Sequence, residues 1–188
     1  MEFTSNIQIR RFIPSDQGSV VSNFMNGFSL YYKDKTLMKP LEVLYLDTIL
    51  GPGGDMSNIY EYFKIGESEA DSDRNFWVAE KDGEVVGGVG VIPSPEYVDG
   101  AELIRMSVKA SCRGHGIAGK LMDVLISWAI GKGYKRVVLS TGTIMEQAKR
   151  TYLKYGFHLV EEKMIKTTKE IGNLPDGEFG VSYYMKEL

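Results

Sequence analysis

A single cysteine in 188 residues excludes any disulfide within the chain, which fits a reducing compartment. Two histidines beside that cysteine are too few for an ordinary zinc site, so no metal is expected. Long apolar runs are missing too. The best candidate, Leu41–Leu50, is interrupted by Glu42 and Asp47 and is far shorter than the ~20 residues a membrane helix needs. The opening MEFTSNIQIRRF has no apolar segment of the kind a signal peptide requires. Positive charge is not in excess: the net charge is -3, so no broad cationic field awaits nucleic acid. The one basic spot, Lys132, Lys135 and Arg136, reads as a solvated turn. These absences predict a cytoplasmic protein with neither membrane nor nucleic-acid partner.

What is present is ordinary in bulk. A hydrophobic share of 43% with 25% charged residues suits one globular domain over residues 1–188. Asn6–Ile13 alternates like an edge strand, and Pro14-Ser15-Asp16 then turns into a helix over Gln17–Leu30, with Val20, Val21, Phe24 and Phe28 on one face. Residues 31–73 form a variable helical region. It has one helix over Leu41–Leu50, a break at Gly51-Pro52-Gly53-Gly54, a second helix near Ser57–Ile65 and an acidic solvated loop from Glu67 to Asp73. The signals sharpen after residue 75. Two strands, Phe76–Lys81 and Glu84–Ile92, flank the hairpin turn Asp82-Gly83. Glu102–Val108 is a third strand. A helix follows with Ile117, Leu121, Val124, Leu125 and Trp128 in register, stopped by Gly131 and Gly133. Then come a short inner strand, Arg136–Ser140, a helix over Met145–Tyr155, and two strands, Phe157–Ile165 and Val181–Lys186, joined by a Gly/Pro/Asp loop. This order is α/β, but it is not the repeating βαβ of a doubly wound sheet.

The stretch CRGHGIAGKL contains Gly114-x-Gly116-x-x-Gly119, on its face a dinucleotide fingerprint. Its setting is wrong for one. Lys109–Arg113 separate it from the preceding strand, and the next strand, Val137–Gly142, carries no acid for a ribose hydroxyl. A P-loop fails as well, because Lys120 is followed by Leu121 rather than Ser or Thr. What remains is backbone N–H groups and a helix N-terminus arranged for an anion, with Arg113 and Lys120 as nearby charge.

Read as Arg113-Gly114-His115-Gly116-Ile117-Ala118, the stretch matches Arg-x-x-Gly-x-Ala and resembles the acetyl-CoA loop of the GCN5-related N-acetyltransferases (GNAT). Further on, Ala148-x-x-x-Tyr152-x-x-x-Gly156-Phe157 is similar to that family's second motif. Met145 stands where the family often has Asn. The likeness covers residues 75–165 well. A narrower similarity, in FWVAEKDGEVVGGVGVIP, ELIRMSV and VVLSTGTIMEQAKRTYLKYGF, is to the camello-like acetyltransferases, whose membrane segment has no counterpart in Leu41–Leu50.

The resemblance implies a mixed, mostly antiparallel central sheet of about six or seven strands flanked by helices. It also implies acetyl transfer from acetyl-CoA to a primary amine within one ternary complex. Met106, Ser107 and Val108 would hold the pantetheine arm. Arg113, Gly114, His115, Gly116, Ile117, Ala118 and Gly119 would hold the pyrophosphate. Tyr152 would protonate the departing thiolate. Arg105 stands near the family's usual base but cannot accept a proton at neutral pH; its planar fork suits a substrate carboxylate. Glu102, Glu80 or a water chain remain as bases. Cys112, with His115 nearby, is set aside as a nucleophile because both belong to the phosphate loop. Tyr155, Trp77 and Trp128 read as packing, and His158 as structural. The acceptor is expected to be a small molecule such as an amino acid or its conjugate. A protein N-terminus or lysine, and a non-catalytic CoA-binding domain, are the alternatives. A homodimer stays open.

Overall fold

The computed structural model describes residues 6–32, 39–167 and 177–188. Its strands are β1 (Ile7–Arg11), β2 (Asn75–Lys81), β3 (Glu84–Pro93), β4 (Gly100–Val108), β5 (Arg136–Gly142), β6 (His158–Thr167) and β7 (Gly177–Glu187). Its helices are α1 (Gln17–Tyr32), α2 (Lys39–Leu50), α3 (Ile59–Tyr62), α4 (Ile117–Gly131) and α5 (Glu146–Lys154). The predicted order of elements holds. The second predicted helix of the 31–73 region shrinks to the single turn α3, capped by Asn58, whose side chain accepts from the Glu61 N–H at 3.2 Å. The expected Gly/Pro/Asp loop between the last two strands falls at 168–176, outside the described residues.

One sheet runs in the order β1-β2-β3-β4-β5-β7-β6, antiparallel except between β4 and β5. Alternation in β2 supplies both faces: Trp77 and Ala79 enter a core with α4 and Tyr152 of α5, while Phe76 and Val78 enter a second with α1, α2 and α3. A strand buried on both sides needs this unbroken apolar run. The Asp82-Gly83 turn has positive φ at both residues, 52° and 82°. That is the pair a two-residue hairpin of right-handed twist demands.

The sheet does not stay closed. β4 and β5 pair in parallel only over Gly100–Arg136, Ala101–Val137 and Glu102–Val138. Beyond Glu102, β4 follows β3 while β5 follows β7 as far as the Gly142–Val181 pair. The two strands therefore part, and the gap between them opens the main cavity of the fold.

Candidate active site

A second irregularity lies on β4. Gly88 pairs with Ser107 and Gly90 with Ile104, so Val89 alone faces both Arg105 and Met106. One extra residue in one strand is a β-bulge. Arg105 takes the strained role, with φ of 56°, a left-handed conformation that costs a non-glycine residue roughly 1–2 kcal/mol. Regular alternation would put Arg105 on the face of Leu103, toward α4. The bulge turns it to the other face, beside Phe24 and Tyr45.

The cavity between β4 and β5 has a volume of about 1090 Å³. Met106, Ser107 and Val108 form one wall, Ser140–Met145 the other, and α5 closes the end with Ala148 and Tyr152. Its mouth is the glycine loop. Gly114 and Gly116 have φ of 81° and 76°, and Gly116 caps the first turn of the fifteen-residue α4. The chain thus reverses without side chains and leaves helix N–H groups at the cavity edge. Arg113 ties the loop down: its Nε donates to the Val108 carbonyl at 3.1 Å, and its guanidinium reaches Gln147 of α5 at 3.4 Å. His115 lies at the surface, its Nδ1 3.0 Å from the Arg113 carbonyl. Ser107 Oγ is buried with no hydrogen-bond partner among the described residues. A positively charged, glycine-lined mouth leading past an unsatisfied hydroxyl fits a long ligand with a phosphate end and amide groups.

The third glycine lines the cavity and also has a packing role. A Cβ on Gly119 would lie 1.7 Å from Tyr155 Oη. Its missing side chain admits the tyrosine of α5 against α4, so Tyr155 packs, as expected, but on the loop's own helix.

Tyr152 projects into the cavity from α5, between the rings of Phe157 and Tyr184 at centroid distances of 6.0 and 6.2 Å. Burial, and next the nearby Tyr31, push its phenol well above the ordinary tyrosine value. It is therefore a neutral donor throughout the physiological range. Glu102 sits where β4 and β5 part and lines the cavity floor. Burial raises its carboxyl above the ordinary glutamate value, the charge of Glu96 adds to this, and Arg105 opposes it. Glu80 lies away from the cavity on the β1–β2 edge, bound to Arg10 at 2.9 Å.

Arg105 is not the free fork that its position in the sequence suggested. Nε and one terminal nitrogen hold the two oxygens of Asp55 at 2.6 and 2.9 Å, and the other terminal nitrogen bonds Tyr45 Oη. Asp55 is buried. The charge that would capture a substrate carboxylate is neutralised from within the fold. The sequence could not show this, because the partner is fifty residues away. Trp77 is a core residue, and Trp128 packs on it at 5.8 Å. Among the described residues no cluster of ligating side chains suits a metal, and no helix is long and apolar enough to cross a membrane.

The site thus combines a split sheet, a glycine loop at one end of the gap and a buried tyrosine across it. Residues 43–157 match the acetyltransferase (GNAT) family, and the chain belongs to it. Among curated relatives, N-acetyltransferase 8 of Rattus norvegicus is 36% identical over 99 residues, 51% of this chain and 45% of that protein. The probable N-acetyltransferase camello of Xenopus laevis is 42% identical over 82 residues, 44% and 37% of the two chains. The matches thus span less than half the length of these relatives. In fold, the chain is similar to the PaiA N-acetyltransferase from Thermoplasma acidophilum, solved in complex with coenzyme A, with a TM-score of 0.68, 18% identity and coverage of 97% and 99%.

Proposed function

We propose that this protein transfers an acetyl group from acetyl-CoA to the primary amine of a small molecule, in one ternary complex. The observation that carries the reading is the pairing of Tyr152 and Glu102 with a phosphate-type glycine loop around one cavity. Gly114, Gly116 and the first turn of α4 cradle the pyrophosphate, and Ser107 bonds the pantetheine arm. Glu102 accepts the proton of the attacking amine, directly or through water. The β4 bulge offers backbone N–H to the carbonyl oxygen as it gains negative charge. As the C–S bond breaks, Tyr152 gives its proton to the sulfur and the products are an N-acetylamine and CoA thiol. The burial that raises the phenol also leaves the departing thiolate poorly solvated, which raises its basicity toward that of the phenol and allows the transfer.

The acceptor side favours a small amine with an apolar or aromatic body. Phe24 and Phe28 of α1 and Tyr45 of α2 stack in series at 6.0 and 4.7 Å along that wall, and Leu44 and Thr48 extend α2 over it. A helix laid across the opening suits a compact molecule better than a passing polypeptide. With Arg105 engaged by Asp55, a carboxylate on the acceptor has no free fork there. The test is mass spectrometry of an amine panel, aliphatic, aromatic, amino-acid and peptide, after incubation with acetyl-CoA. Acetylation of aromatic or apolar small amines supports the reading; acetylation of peptides alone overturns its acceptor half.

A further inference from the structure

The ion pair between Asp55 and Arg105 joins two features that otherwise have no reason to meet. Arg105 is the strained residue of the β4 bulge, and its conformation decides where the neighbouring backbone of Met106 and Ser107 points. Asp55 belongs to the turn after α2. That turn is built tightly: Gly53 has φ of 82°, and a Cβ on Gly54 would lie 2.3 Å from the Ile49 carbonyl. The next residue, Met56, is fully buried, its N–H on the Ile49 carbonyl at 2.9 Å and its carbonyl on Gln17 Nε2 at 2.8 Å. Asp55 is therefore fixed to the body of the fold, and its bidentate grip, at 2.6 and 2.9 Å, is the short, planar kind that admits one orientation. The Arg105 side chain also lies against the rings of Phe24 and Tyr45.

We propose that Asp55 is a positioning residue for acyl transfer: by gripping Arg105 it holds the β4 bulge in its left-handed form and so aims the backbone that faces the thioester. The inference rests on the acetyl-transfer reading of the cavity. Without the grip, residue 105 relaxes toward ordinary strand geometry and the bulge shifts. The pyrophosphate is held by the glycine loop, so the loss falls on kcat more than on KM for acetyl-CoA, which the shift of Ser107 beside the bulge changes only slightly.

Glycine separates this role from a merely structural one, because it adopts positive φ without strain. Asp55→Ala lowers kcat by about tenfold, the size of a released left-handed strain, with KM for acetyl-CoA little changed. Asp55→Ala combined with Arg105→Gly recovers most of the lost kcat, since the bulge no longer needs holding. Asp55→Asn, which keeps the shape, serves if the alanine variant fails to fold, with the melting temperature as the check. Two kinetic outcomes overturn the proposal: an unchanged kcat in the single variant, or a double variant as slow as the single, which would mean that Asp55 only anchors α2. A crystal structure of Asp55→Ala gives a readout that needs no turnover: φ of residue 105 is expected to leave the positive region, and its persistence there would also overturn the proposal. Wild-type enzyme inactive on every amine would instead sink the acetyl-transfer reading, and the crystallographic test would still decide the role of Asp55.

Discussion

Tyr152 keeps its proton because its surroundings cannot solvate a phenolate. In the proposed reaction the phenol is therefore protonated when the thiolate leaves, and transfer depends on the same poor solvation raising the basicity of the thiolate. Tyr152→Phe keeps the ring contacts with Phe157 and Tyr184 and removes only the proton. Turnover is expected to fall by about 10²–10⁴-fold, the usual worth of a general acid, while stabilisation by CoA stays unchanged; a rate near wild type with chemistry rate-limiting would assign the proton to another group. Glu102 makes a paired prediction. Its carboxyl is raised in the fold, so the folded state binds the proton more tightly than the unfolded chain. Its contribution to stability is present below the unfolded value and is lost as pH rises through the folded one. At neutral pH the ionised form therefore costs stability, and Glu102→Gln raises the melting temperature while reducing turnover. In wild type the acid limb of the kcat/KM profile lies above the ordinary glutamate range, and in Glu102→Gln that limb disappears. A lower melting temperature at neutral pH, or a retained limb, would remove Glu102 from this role. Tyr152 stood out in the sequence through the family resemblance carried by Ala148, Tyr152, Gly156 and Phe157, and the structure puts it in the cavity. Glu102 was legible only as one of several acids; its choice depends on where β4 and β5 part, which no spacing reveals.

Among the elements, the glycine loop and the start of α4 line the cavity mouth, and they are the proposed cofactor half of the site. Gly116→Asp is a clean probe. Nothing lies within 4 Å of the added Cβ, and aspartate tolerates a left-handed backbone better than most residues. The fold survives, and the new carboxylate repels the pyrophosphate, so thermal stabilisation by CoA is expected to vanish; unchanged stabilisation would contradict the loop's assignment. Gly119 fails for another reason. Gly119→Ala drives a methyl into Tyr155 Oη, an overpacking worth about 1–3 kcal/mol. Adding Tyr155→Phe is expected to restore part of the lost melting temperature. The two glycines look alike in sequence, yet a Cβ on Gly116 would meet open space and one on Gly119 would meet Tyr155. The bulge in β4 was hidden for a related reason. Leu103–Val108 has no glycine or proline to mark an extra residue, and the cause of its strain, Asp55, sits after a different helix. Hairpin turns and helix stops were legible because their chemistry is local; the bulge was not, because its stabilisation is tertiary.

Over the whole molecule, one split in one sheet generates the site, and the two cores divide its labour. The core under α4 and α5 holds the loop and Tyr152, and the core under α1–α3 holds the aromatic wall proposed for the acceptor. The order of elements was readable from periodicity and turn residues, but their function required the gap, which exists because β4 and β5 pair for only three residues. Acetyl transfer to an amine is proposed to take place in this gap. The most direct test follows release of CoA thiol and formation of acetylated amine together, in wild type and in Tyr152→Phe, at saturating acetyl-CoA with the best amine of the panel. Equal amounts of the two products are expected in wild type, both dependent on the amine, with a large parallel loss in the variant. Thiol release without acetylated amine, or equal rates in the two proteins when chemistry is rate-limiting, would contradict the proposal.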